Sequence, residues 1–299
     1  DWIPIGKMGY KTINGQLSIE CIESFMGSFD GNYQTIKLKY DDTCKNIDVN
    51  TRAFGLFAAI EGEYENDSNS NNPTCKQYSN FKDLTIDINM NNSINVLNNS
   101  GTLAAATYFT NYTNITVKGN IKTNSQSVSG FFGVGGELYL KDCKSYVNIE
   151  HNSTSASGNG FISPFIGQCN QYNASHFTIF ENCESSGTLS NIGKTANYFN
   201  GQFVGQLWPA NLVFINCKAN TTLKNDSLKW RTDITELVYD KQNLTKEELE
   251  SQIVLKKADI SSLTKNNSAK YIGNYCPDNT NVWPNLVRIY TNFNWKVTP

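Results

Sequence analysis

The chain has 299 residues, 25 Lys plus Arg against 27 Asp plus Glu, and a formal net charge of −2. That balance supplies no field to gather nucleic acid or an anionic membrane surface, so no nucleic-acid partner is expected. No apolar run approaches the roughly 18–20 residues that span a bilayer, so no membrane span is expected, and the length fits one elongated unit.

Eight cysteines stand at Cys21, Cys44, Cys75, Cys143, Cys169, Cys183, Cys217 and Cys276. An even number without a C-x-x-C pair points to disulfides more than to zinc. Eleven N-x-S/T sequons begin at Asn66, Asn91, Asn98, Asn111, Asn114, Asn152, Asn173, Asn220, Asn225, Asn243 and Asn266. The chain starts at Asp1, not Met, for which a processed N-terminus is the simplest explanation. Cysteines, sequons and start together predict a secreted or cell-surface glycoprotein whose used sequons face solvent.

In chain order, DWIPIG (1–6) is followed by FMGSFDGNYQTIKL (25–38). Phe29-Asp30-Gly31-Asn32 reads as a turn between two alternating runs, with Gly31 and Asn32 tolerating positive φ. Gly55-Leu56-Phe57 and then repeated apolar-Gly and Asx-Cys units come next. This order resembles the GLUG-repeat surface proteins over roughly residues 1–223. The resemblance implies a right-handed parallel β-helix and surface display, and no particular reaction.

The clearest repetition runs from Gly130 to Leu223, where one pattern is written three times: apolar residues ending in Gly133, Gly167 or Gly205, an alternating run closing on Cys143, Cys183 or Cys217, then a short polar strand. Such repetition means a stacked architecture. An Asx residue followed by an inward apolar one extends the ladder backwards, so the inward positions are Leu84, Ile115, Cys143, Cys183 and Cys217, with separations of 31, 28, 40 and 34 residues. Those exceed the roughly 20–30 residues of a bare coil, so loops are predicted at 66–79, 89–101, 153–159, 168–175 and 190–200. Gly133-Val134-Gly135-Gly136 is predicted to make a tight corner. The three stacked cysteines are either small buried thiols or, between neighbours, a disulfide.

After Leu223 the pattern changes. Thr245 and Glu248 form a capping box ahead of Leu249 and Ile253, which predicts a short helix. Residues 287–297 alternate and predict a strand. The segment 224–299 is therefore read as a C-terminal helix-and-strand cap or an assembly segment.

Polysaccharide chemistry on such a scaffold needs carboxylates converging on one face. Asp83 and Asp142 share a ladder position two coils apart, and Glu181 flanks the next coil. Asn114 stands between the two aspartates, and the Asx series also reads as a turn-forming ladder. Only Arg52, Arg231 and Arg288 are arginines, all outside the central repeats. His151 and His176 flank sequons without a nucleophile at recognisable spacing. No zinc or EF-hand spacing occurs, so neither metal nor cofactor is expected. Phe residues are expected to pack inward, with Trp2, Trp208, Trp230, Trp283 and Trp295 either capping or stacking on sugar.

The sequence thus predicts an all-β, right-handed parallel β-solenoid at 1–223 with a cap at 224–299. The expected role is structural or adhesive and not enzymatic, with self-association or other surface proteins as partners. A polysaccharide lyase or hydrolase using Asp83, Asp142 and Glu181, and a carbohydrate-binding attachment module, are the alternatives.

Overall fold

The structure is a computed structural model. It describes residues 4–13, 16–41, 53–65, 74–91, 99–152, 159–170, 178–191, 197–201, 203–208, 212–215 and 217–224, with short segments at 238–240, 264–265, 273–275, 288–291 and 294–295. Among the described residues the chain is all-β, dominated by a curled parallel sheet, and holds no helix. The predicted helix after Thr245 lies outside the described residues.

The longest ladder starts at Ser28–Asp41, which pairs in parallel with Ser79–Asn91. Ser79–Asn91 pairs with the second half of Ala104–Thr123, and that with Lys144–His151. Glu184–Asn191 and Lys218–Leu223 follow in parallel. Each strand pairs with its counterpart one repeat away, which we call a tier. The register is continuous through Thr116↔Lys144↔Glu184↔Lys218. Leu84, Ile115, Cys143, Cys183 and Cys217 therefore stand in one inward column, and all five are buried.

A second ladder runs through Phe57–Glu61, residues 104–108, Phe132–Lys141, Ile166–Asn170 and Val204–Trp208. A third, five-stranded parallel sheet orders Ala53–Phe54, Asn99–Gly101, Ser127–Ser129, Asn159–Ser163 and Asn197–Asn200. The two longer ladders differ in how they meet water. Phe57–Glu61 and the first seven residues of Ala104–Thr123 are buried throughout, whereas Ser79–Asn91 and Lys144–His151 alternate buried with exposed or half-buried positions. Continuous burial is the signature of parallel strands covered on both faces, and alternation that of a strand with one face in solvent.

The second ladder is covered by an antiparallel hairpin of Lys7–Ile13 and Gln16–Glu23. Met8 of this hairpin packs among Ala58, Ala105, Ala106 and Val134, side chains small enough to let the hairpin approach the sheet. A second hairpin joins Glu63–Glu65 to Thr74–Gln77, with Tyr64 5.6 Å from the Phe109 ring.

Between the ladders lies a single apolar interior. Phe131, Phe165 and Phe203 stack on successive tiers with centroids 4.7 and 5.1 Å apart and planes within 20°. Full burial of such a ring contributes about 1.5–3 kcal/mol, and each aromatic pair about 0.5–1.5 kcal/mol more.

Three local predictions are corrected. Phe29-Asp30-Gly31-Asn32 does not reverse the chain. Ser28–Asp41 runs through it as one strand with a shift in register, and Asn32 and Tyr33, not Gly31, take φ of 47° and 57°. Gly31 is there for space, since a Cβ would lie 2.6 Å from the Asp83 carbonyl oxygen. Gly133-Val134-Gly135-Gly136 is not a corner but the start of Phe132–Lys141, lodged where a Cβ on Gly135 would meet the Thr107 carbonyl oxygen at 2.8 Å. The bend comes at Glu137, with φ of 53°. Finally, the described margins of the predicted loops are strand: Thr74–Gln77 pairs in the second hairpin, and Asn89, Met90 and Asn91 continue the long ladder against Asn120, Ile121 and Lys122.

Of the predicted strand at 287–297, Arg288–Thr291 pairs in parallel with Leu212–Ile215, and Asn294–Trp295 with Lys218 and Ala219. These pairings add a further tier to the sheet.

Candidate functional site

The long ladder presents one face to solvent. Its corner is set by the Asx residues. Asp83, Asn114, Asp142 and Asn182 all adopt φ of 52–54°. Asn and Asp enter this left-handed region more readily than other side chains because their short polar groups bond locally. Asn114 Nδ2 donates to Asp83 Oδ1 at 2.7 Å, and Asn182 Nδ2 donates to Asp142 Oδ1 at 3.0 Å. Lys82 Nζ lies 3.6 Å from Asp83 and 2.9 Å from Asp30. The carboxylates and amides thus alternate along the tier axis as two hydrogen-bonded pairs, Asp83 with Asn114 and Asp142 with Asn182.

The three acids singled out by sequence are placed differently from one another. Asp83 and Asp142 share the half-exposed corner column, two tiers apart with Asn114 between them. Glu181 is buried at 1% exposure, accepts a hydrogen bond from the Tyr139 hydroxyl at 2.5 Å and lies 3.4 Å from Lys141 Nζ. Tier spacing of about 4.8 Å puts Asp83 and Asp142 on the order of 10 Å apart. Glu181 is held behind the sheet surface by its own partners.

Beyond the corner, outward side chains form rows across the tiers. Lys37, Asp87 and Lys118 align in one row, and Lys144, Glu184 and Lys218 in another. A third row joins Asn120, Asn148 and Thr188: Asn148 Nδ2 donates to Asn120 Oδ1 at 3.0 Å, and Thr188 Oγ1 donates to Asn148 Oδ1 at 2.9 Å. In the fourth, Lys122 Nζ meets Glu150 Oε1 at 2.6 Å. Between the third and fourth rows lies a groove of about 250 Å³, lined by Asn120, Lys122, Asn148, Glu150, Thr188, Ser190 and Lys224 among others. Tyr146, 37% exposed, stands two residues from Asn148 on the same outward face.

Sequons with described asparagine side chains are Asn91, Asn111, Asn114, Asn152 and Asn220. All five are exposed or half-buried. Asn66, Asn98, Asn173, Asn225, Asn243 and Asn266 lie outside the described residues.

Cys21, Cys75, Cys143, Cys169, Cys183 and Cys217 are not joined in disulfides, while Cys44 and Cys276 lie outside the described residues. In the column, Cys143, Cys183 and Cys217 each direct Sγ at a carbonyl of the preceding tier: Tyr112 at 3.6 Å, Leu140 at 3.4 Å and Phe180 at 3.3 Å. Burial, and then the two neighbouring thiols, raise the Cys183 thiol well above the usual range.

Sequence reasoning missed two buried polar clusters. Glu61 accepts from Ser24 Oγ at 2.7 Å, and the charge of buried Glu137, second to burial, helps push the Cys75 thiol up to about 12. A charged residue inside the apolar run 132–140 is the signal that marks Glu137. The second cluster surrounds His151, which is fully buried with Nε2 2.7 Å from the Ser125 carbonyl oxygen. Ser125 Oγ also contacts Ser100 Oγ at 2.6 Å and Thr123 Oγ1 at 2.9 Å. Burial lowers the His151 pKa to about 4. Among the described residues no cluster of three or more His, Cys, Asp or Glu has a geometry for a metal ion. No helix of the described residues is long and apolar enough to cross a membrane.

Comparison with protein-family models, with curated proteins and with solved structures finds no match to this chain.

Proposed function

We propose that this chain is a secreted or cell-surface glycoprotein with a structural or adhesive role, wound as a right-handed parallel β-solenoid. Its tiers stack on the shared apolar interior, its glycans stand on the solvent face, and its ladder ends contact neighbouring copies or other surface proteins. The likeness of the Phe29-Asp30-Gly31-Asn32 region and the later repeats to GLUG-repeat surface proteins belongs to this reading.

The observation that carries the proposal is the placement of the sequons. Asn91, Asn111, Asn114, Asn152 and Asn220 come from four different stretches of the ladders, Asn111 and Asn114 sharing one, and each is exposed or half-buried in a fold that buries Asn99. A modified asparagine has to reach solvent, and these five do. The in-register pairing of successive repeats supports the solenoid.

The test is electron microscopy of native material near neutral pH, with and without glycosidase treatment. Ordered filaments, coats or surface-attached particles are expected. Protein that stays monomeric at high concentration and binds neither cells nor glycans would sink the reading.

A further inference from the structure

We infer that the groove on the solvent face of the long ladder is a binding site for an acidic oligosaccharide. This names a ligand class for the adhesive reading above and rests on that reading only for where the ligand is met; the chemistry comes from the groove.

Charge gives the first reason. Beyond the corner column with its Asp83 and Asp142, the outward residues of this face include seven lysines, Lys37, Lys39, Lys118, Lys122, Lys144, Lys218 and Lys224, against four acids, Asp41, Asp87, Glu150 and Glu184. The whole chain carries −2, so the face is of opposite sign to the molecule. Lys39 is paired with Asp41 at 3.2 Å and Lys122 with Glu150 at 2.6 Å. Lys224, exposed at the end of the groove, has no carboxylate paired with it among the described residues. A carboxylate or sulfate of the ligand supplies that missing charge.

Hydrogen-bonding capacity gives the second. The column Asn120–Asn148–Thr188 spends only part of its donors internally. Each amide has two N–H groups, and the Asn148 amide gives one of its own to Asn120. The rest point to a ligand rich in hydroxyls, with Ser190 and Glu150 on the opposite wall. Tyr146 supplies the flat apolar surface on which a sugar ring stacks. The groove crosses three tiers and ends at Lys224 on a fourth, so a chain of sugars lies across the strands and not along them.

The experiment is calorimetric titration of the intact chain with a hyaluronan hexasaccharide, and with neutral chitohexaose as counterpart. Asn152 and Asn220 border this face, so the titration is repeated after enzymatic removal of N-glycans. Saturable binding of the acidic sugar in at least one preparation is expected, with chitohexaose at least tenfold weaker. Lys224→Ala and Asn148→Ala, each checked for an unchanged circular dichroism spectrum, are expected to weaken binding about tenfold. Lys37→Ala, on the same face but outside the groove, is expected to leave it within about twofold. No binding in either preparation, equal binding of the neutral sugar, an equal loss with Lys37→Ala, or equal competition by a short single-stranded oligonucleotide would overturn the inference. Loss of extracellular location leaves this titration untouched, so the two proposals fail separately.

Discussion

At the scale of single residues, the corner column and the buried histidine carry the sharpest consequences. Asn182 combines φ of 52° with a hydrogen bond to Asp142. An alanine there forfeits the bond and adds left-handed strain, so Asn182→Ala is expected to cost about 1–3 kcal/mol of unfolding free energy, and Asn182→Gly less, in denaturant titrations. His151 gives a pH dependence of definite sign. Its folded pKa of about 4 lies below the unfolded value near 6.5, so its contribution is complete above about pH 6.5. That contribution is lost as pH falls towards 4, by about 3 kcal/mol for a shift of this size. Unfolding free energies measured between pH 7 and pH 4 should fall for the wild type, and His151→Gln should flatten the curve. Gly187 sits at φ of 115° with a Cβ position only 2.0 Å from the Val147 carbonyl oxygen. It stands in register with Val147 on the next tier, and Gly187→Ala is expected to cost several kcal/mol, on the order of other strained or overpacked core changes.

At the scale of elements, the aromatic and thiol columns hold neighbouring tiers together. Phe165 lies between Phe131 and Phe203, so Phe165→Ala is expected to cost about 3–5 kcal/mol, lowering the denaturation midpoint without altering the outer face. The thiols of Cys143, Cys183 and Cys217 are buried, and that of Cys183 is raised. Iodoacetamide at pH 8 should label them only after unfolding, which mass spectrometry of native and denatured samples checks; labelling in the native state would contradict the buried column. Much of this was legible in the sequence, because a parallel stack writes its register into the chain. The Asx residue marks the left-handed corner, and the next residue marks the inward column, so the positions of Leu84, Ile115, Cys143, Cys183 and Cys217 could be read without coordinates. The two hairpins could not. Lys7–Ile13 and Thr74–Gln77 carry no signal that separates antiparallel covering strands from ladder strands, since their side chains alternate alike in both. Buried Glu61 and Glu137 were missed for a related reason: the groups they meet, Ser24 and Cys75, are distant in sequence. The groove was equally invisible, because Asn120, Asn148 and Thr188 come together only once the register of three tiers is known.

At the scale of the whole molecule, the fold separates its tasks by face. The second ladder is buried on both sides and fixes the stack, while the long ladder keeps one side in water. Among the described residues Ser28–Asp41 pairs with Ser79–Asn91 alone; it bears Lys37 and Lys39 and shifts register between Asp30 and Gln34, features that discourage indiscriminate strand addition. The most direct measurement of the central claim is site-resolved glycopeptide mass spectrometry on the protein taken from its native source. The account predicts N-glycans on the solvent-facing sequons, Asn91, Asn111, Asn114, Asn152 and Asn220 among them. A chain recovered intact with every one of these asparagines unmodified would contradict it.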